Sequence, residues 1–301
     1  MNHTDGVIVV NKPQDWTSHD VVGKMRGIAG TRRVGHLGTL DPIATGVLPL
    51  MIGQATRLAR FWEGAEKCYE ALVRFGFATS TYDRAGEPCG PDSEPNITAD
   101  QIEACLSPMR GELQQIPPPV SAKKVNGVRA YKLARKNIAV VLAPASVTIY
   151  ELTLLEALGR TARLRVRCSA GTYVRSMAHE LGISLGCGAH IEQLVRTRSG
   201  PFSLEASHTL EELQAMKNES KLWDALIPMT ECLPELPNVF VDDPGAMHIR
   251  QGRDFNVSPF RVNQGAPHVK AIGPDGSLIA IGRIVLPHVY HPVVVMPAAE
   301  N

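Results

Sequence analysis

The chain has 301 residues, of which 44 % are apolar and 20 % charged, with a formal net charge of +1. These proportions belong to an ordinary folded protein and exclude a disordered, collagen-like or strongly polyionic one. No apolar run approaches the ~18–20 residues of a membrane helix, and the start, MNHTDGVIVVNKPQDW, lacks the basic n-region of a signal peptide. Six cysteines with no C-x-x-C pair suit neither a zinc ribbon nor a disulfide scaffold. A cytoplasmic chain with reduced thiols is expected, long enough for one large and one small domain.

In chain order, residues 6–12 (GVIVVNK) read as a buried strand closed by Pro13. Thr17 or Ser18 then caps a helix that stops at Gly30. Residues 38–46 (GTLDPIATG) form a stiff loop, since Pro42 pushes Asp41 away from helix. Residues 47–53 return to strand, and 55–62 place Leu58 with Phe61 or Trp62 on one helical face. Residues 67–75 suggest a strand, 80–91 a polar loop, and Thr98 with Gln101 a capping box.

Residues 161–168 (TARLRVRC) alternate strictly, which predicts a half-buried antiparallel strand with arginines on its wet face. Residues 171–182 turn from strand into helix, and Thr209 caps what reads as the last helix. Pro228, Pro234 and Pro237 mark a linker, so domains of 1–235 and 236–301 are expected. Beyond the linker, 239–241, 268–272, 278–281 and 293–296 are short strands, with a hairpin turn at 273–277. They suggest a small β-barrel.

The near-neutral total hides uneven charge. Residues 123–136 hold six basic side chains and no acid, and 160–175 hold five arginines and no acid. From Glu205 to Asp243, nine acids face only Lys217 and Lys221. Two acid-free basic runs tilt the reading toward a phosphate backbone as partner.

Several chemistries find no support. There is no P-loop and no G-x-S-x-G elbow. H190-I-E192 lacks the P-C-x-x-C of a zinc deaminase, so His190 reads as a surface or helix-end residue. H288-V-Y-H291 reads as packing rather than ligation. No metal and no cofactor is expected. Carboxylate chemistry remains. Asp41 is the lone acid between His36 and Arg57, set among glycines and prolines that allow close approach and rigidity. On local pattern alone the slightly favoured reading is a turn aspartate that caps the next helix.

A longer match changes the balance. Residues 35–50 (GHLGTLDPIATGVLPL), continuing into G53-Q-A-T-R57, resemble the catalytic motif of the TruB family of pseudouridine synthases. Residues 5–18, K67-C-Y69, 116–131, C168-S-A-G-T-Y-V-R-S176 and L185-G-C-G-A-H190 resemble further family segments in the same order. The tail is similar to the PUA-type RNA-binding barrel.

The resemblance implies an α+β fold: a mixed, mostly antiparallel sheet with flanking helices, a thumb-like insertion around 117–145, and a C-terminal PUA-like barrel. It implies a cofactor-free isomerase that converts a uridine in the T-loop of tRNA, position 55 by family convention, working as a monomer without an obligate protein partner. Asp41 would be the essential group, by addition to the base, attack at C1′ or removal of a sugar proton. Arg175 would be the cation that keeps it charged. Tyr69 would stack on the flipped uracil and Tyr173 would help remove the C5 proton. His36, Arg57, Leu194, Lys123, Lys124, Arg129 and Lys132 would contact the RNA. Two departures from the family pattern stand out: Ser80 where an aspartate is usual, leaving Asp83 alone, and Asn137 where a glycine is usual.

Overall fold

The computed structural model describes residues 4–121, 123–125, 128–129, 142–258 and 266–298; of 124, 125, 128 and 129 it describes the backbone alone. Lys132 and Asn137 therefore lie outside the described residues, as do the side chains of Lys124 and Arg129.

The chain opens with β1 (Gly6–Lys12), buried on both faces, which is why its apolar residues run on without alternation. Helix α1 (Ser18–Ala29) begins with a capping box between Thr17 and Asp20 and ends on Gly30 at φ 66°. Strands β2 (Val34–His36) and β3 (Ala44–Ile52) bracket the Asp41 loop, and a 3-10 stretch spans Gly53–Phe61. After β4 (Lys67–Phe75) comes α2 (Ala99–Leu106), with the expected Thr98–Gln101 box. Strand β5 (Gly111–Gln115) and a two-residue hairpin, β6 (Lys124–Val125) with β7 (Val128–Arg129), precede β8 (Ala145–Leu158) and β9 (Thr161–Cys168). Helix α3 (Val174–Ser184), β10 (Ala189–Ser199), β11 (Phe202–Ser203), α4 (Leu210–Asn218) and β12 (Ile227–Pro228) complete this part. The tail holds β13 (Asn238–Phe240), α5 (Asp243–Arg250), β14 (Phe255–Asn256), β15 (His268–Ile272), β16 (Leu278–Leu286) and β17 (Val289–Val295).

The first sheet runs β12-β1-β3-β10-β4-β9-β8-β5, with β2 on β3 and β11 on β10. Every pairing is antiparallel except β3–β10. This is the mixed, mostly antiparallel α+β architecture expected. One face carries α1 to α4 on a core that includes Met25, Ile102, Leu181 and Leu213. The other face, around Val7, Val9, Val47 and Leu58, packs against Ile272, Leu278, Ile281 and Val294 of the tail.

The tail is a curled half-barrel of order β13-β15-β16-β17-β14. Four details differ from the sequence reading. Pro228 pairs with Gly6 at a sheet edge instead of sitting in a linker, a position where a proline's missing N–H is harmless. Helix α5 follows the supposed last helix, with Asp242 as N-cap and a proline in its first turn. Strands β16 and β17 meet through a turn at His288, whose φ of 64° gave no glycine signal. His190 is buried in β10, with Nδ1 3.1 Å from the Phe77 carbonyl and Nε2 3.6 Å from Glu192.

The arginine face of β9 is also not a bare cationic surface. Arg165 meets Glu70 at 3.1 Å, Arg167 meets Glu66 at 2.8 Å, and Arg163 approaches Glu156 at 3.9 Å. These acids stand on or beside neighbouring strands, outside the acid-free run itself, so the run looked unbalanced.

Candidate active site

The site forms where the one parallel junction brings four strands into rank. Lys12 of β1 lies opposite Gly46 of β3, Gly46 opposite Arg196 of β10, and Arg196 opposite Tyr69 of β4. Directly opposed residues share a face of the sheet, so Lys12, Arg196 and Tyr69 rise together beneath the Asp41 loop. Gly46 makes the junction possible: a Cβ there would stand 2.3 Å from the Arg196 carbonyl oxygen, and its φ is 97°.

The loop is held from below by buried cations. Lys12 Nζ donates to the carbonyls of Pro13, Trp16 and Pro42 at 2.9, 2.6 and 3.1 Å. Arg196 donates to Val47 O at 2.8 Å and to Gly38 O at 3.1 Å. Ser18 Oγ accepts from the Leu40 amide at 2.9 Å. Within the loop, the Ala44 amide donates to Asp41 O at 3.1 Å, closing a turn with proline at its second position. The turn reading of Asp41-Pro42 was thus correct for the backbone, but strand β3 follows in place of the helix that Asp41 was to cap, so the carboxylate is not spent on a cap.

That carboxylate meets Arg175. Nε donates to Oδ2 at 2.8 Å and Nη2 to Oδ1 at 2.9 Å, a two-point charge-assisted pair. The guanidinium is 4 % exposed while Asp41 is 35 % exposed, so the acid is the open partner and the arginine the buried one. Arg175 also donates to Thr81 O at 2.9 Å and Val120 O at 3.0 Å, and lies 3.3 Å from Asp83.

Tyr82 takes φ 64° and stacks on His179 at 3.7 Å between ring centres. This strained turn presents both Thr81 O and Asp83 to the arginine. Ser80 exchanges bonds with Glu87 instead, its amide donating to Glu87 O and its hydroxyl accepting from the Glu87 amide. Ser80 thus makes no hydrogen bond to Asp41 or Arg175. Gln115 clamps Tyr173 in both directions, accepting from its amide at 2.8 Å and donating to its carbonyl at 3.0 Å.

A cleft of ≈ 270 Å³ opens over these groups, and Asp41, Tyr69, Tyr173, Arg175, Leu194 and Arg196 all line it. Five of these were expected together from sequence; Arg196 was missed, as were Lys12 and Gln115. A lysine closing a mostly apolar strand was the one available hint for Lys12. Burial pushes the Tyr69 hydroxyl up, with Arg196 opposing, and burial likewise pushes Tyr173 up. Both phenols are neutral near pH 7. His36 is pulled down by burial first and by Arg196 second; it sits at the end of β2 and does not line the cleft.

Arg57 donates to Val295 O at 3.0 Å, which ties it to the tail and away from the cleft. Lys123 is half-buried ahead of β6. Among the described residues no cluster of His, Cys, Asp and Glu could hold a metal, and no described helix is long and apolar enough to cross a membrane.

The family model described as TruB family pseudouridylate synthase, N-terminal domain, matches residues 26–174. The tRNA pseudouridylate synthase B C-terminal domain matches 175–234. The chain belongs to the TruB family of pseudouridine synthases. It is 58 % identical over 292 residues to tRNA pseudouridine synthase B of Solibacter usitatus, covering 97 % of this chain and 100 % of that protein. The protein of the same name from Geobacillus thermodenitrificans is 41 % identical, with 92 % and 94 % covered. Among solved structures, a Cbf5-Nop10-Gar1 complex contains a chain that matches with a TM-score of 0.74 and 28 % identity, covering 99 % of this chain and 87 % of that one. An H/ACA RNP bound to a substrate RNA containing 2′-deoxyuridine matches with 0.72 and 26 %, at the same coverage. Membership makes this TruB-family chain an isomerase with a pseudouridine synthase fold.

Proposed function

We propose that the chain isomerises a uridine in the T-loop of tRNA, at position 55, with Asp41 as the essential group. The observation that carries this is the Asp41–Arg175 pair, anchored on the buried side and open on the other, in a cleft of ≈ 270 Å³ beside Tyr69. That volume is near the lower end for small-molecule sites, about 300 Å³. It suits one extruded nucleoside better than a length of chain. Extrusion costs a few kcal/mol, and stacking on Tyr69 returns ~1–3 kcal/mol. Recognition of loop shape and splayed bases is the usual route for single-stranded RNA.

The reaction breaks C1′–N1 and joins C1′ to C5; C5 loses a proton and N1 gains one, with no change of oxidation state. Asp41, its charge balanced by Arg175, is the group poised to meet the base or sugar. Tyr173, neutral by burial, serves as a proton relay at C5 and not as a phenolate base. Bacterial relatives at 58 % and 41 % identity carry the tRNA name. The ribonucleoprotein neighbours stand at 26–28 %. This contrast favours a single chain acting on tRNA over a guided complex.

Tritium release from a tRNA transcript labelled at uridine C5 tests the proposal. Wild type should release label from one T-loop uridine, and Asp41→Ala should release none while still binding the RNA. Binding without release by wild type would refute it.

A further inference from the structure

The lining of the cleft carries more positive charge than its chemistry consumes. Arg175 is matched by Asp41, yet Lys67 and Arg196 stand on the same wall with only the exposed Glu63 to balance them. Lys67 opens β4, two residues before Tyr69, and its side chain is half-buried. Its ammonium donates to Ala65 O at 2.5 Å. An ammonium has three donors, and the other two find no partner among the described residues. No carboxylate lies within ion-pair distance of it among them either.

Lys67 and Arg196 converge on Gly38, where a Cβ would lie 3.5 Å from Arg196 Nη1 and 3.8 Å from Lys67 Cε. Arg196 has its carbonyl partners already, whereas Lys67 does not. A half-buried cation beside another cation is unfavourable until an anion joins them; burial and Arg196 both pull the Lys67 ammonium below its ordinary range.

We infer that Lys67 is the contact for a phosphodiester flanking the extruded uridine, so that it fixes the nucleotide by its backbone while Tyr69 and Asp41 address the base and sugar. The inference rests on the tRNA reading above. A nucleotide entering the cleft beside the Gly38 loop brings one anion on either side of its ribose, within reach of the unmatched ammonium. The assignment to the 5′ or 3′ phosphate is an arm of the test.

The test is a cycle on kcat/KM for tritium release from a T-arm hairpin, which compares transition-state free energies. One hairpin is unmodified; two others carry a neutral methylphosphonate immediately 5′ or 3′ of the target uridine. Wild type should lose roughly tenfold or more with one of the two, the scale of a charge-assisted hydrogen bond. Lys67→Gln should lose as much on the unmodified hairpin and nothing further on that methylphosphonate. Lys67→Arg should keep the sensitivity, and Lys67→Met, which retains the buried stem, replaces the glutamine variant if that does not fold. Additive losses at both positions would overturn the inference while leaving the tRNA reading intact. No release by wild type from the unmodified hairpin would overturn both.

Discussion

Arg175 divides one guanidinium among both oxygens of Asp41, the carbonyls of Thr81 and Val120, and the carboxylate of Asp83. A lysine has one nitrogen and cannot reproduce that fork. We expect Arg175→Lys to lower kcat/KM for tritium release at least about 100-fold, since a two-point orientation becomes a point contact. It should also cost about 3–5 kcal/mol of stability, read from the urea midpoint, because Asp83 is left buried and poorly paired. Asp41 drew notice as the lone acid between His36 and Arg57, and Arg175 only through the resemblance of residues 168–176 to a family segment. Lys12 and Arg196 were not legible in the sequence. Their partners are backbone carbonyls as far as 30 and 158 residues away, and a carbonyl has no residue type to recognise.

At the level of elements, most local signals were read as they folded. The caps expected at Thr17, Thr98 and Thr209 all formed, each as a capping box, as did the alternation of β9. Helix α5 escaped because its signal, an aspartate cap followed by proline and glycine, also reads as a turn. Strand β1 carries a prediction of its own. Burial holds Lys12 down to about 8, against the pull of Asp41 in the other direction. The unfolded chain therefore binds more protons than the folded one between about pH 8 and the ordinary lysine value, and stability from this group rises with pH across that window. Below that window both states are protonated and the contribution is flat. Comparing wild type with Lys12→Met by urea denaturation, the difference should shift in favour of wild type between roughly pH 7 and pH 9.5. An unchanged difference would mean the three carbonyls hold the ammonium through that range.

For the whole molecule, the sequence suggested a division at 235/236, and the tail does build its own sheet. Its apolar residues, however, complete the cluster on the back of the first sheet. Arg57 to Val295 and Lys270 to Thr230 add bonds across the same boundary. Shared burial couples unfolding, at roughly 25 cal/mol per Å² of apolar surface. We expect one calorimetric transition for the full chain. A chain ending at residue 236 should melt lower and bind a hydrophobic dye, having exposed Val7, Val9 and Leu58. Two separate transitions would show the halves to be independent. Composition shifts and prolines mark where a chain changes direction, but they cannot report which faces later meet.

The distance in sequence between Asp41 and Arg175 is 134 residues. At a synthesis rate of ~5–20 residues per second, roughly 7–27 s pass between the ribosome's placing the acid and its placing the base. The rank beneath the loop waits longer still, for β10. A growing chain thus carries its carboxylate long before any cleft exists around it, and it acquires chemistry only when most of its length has been made.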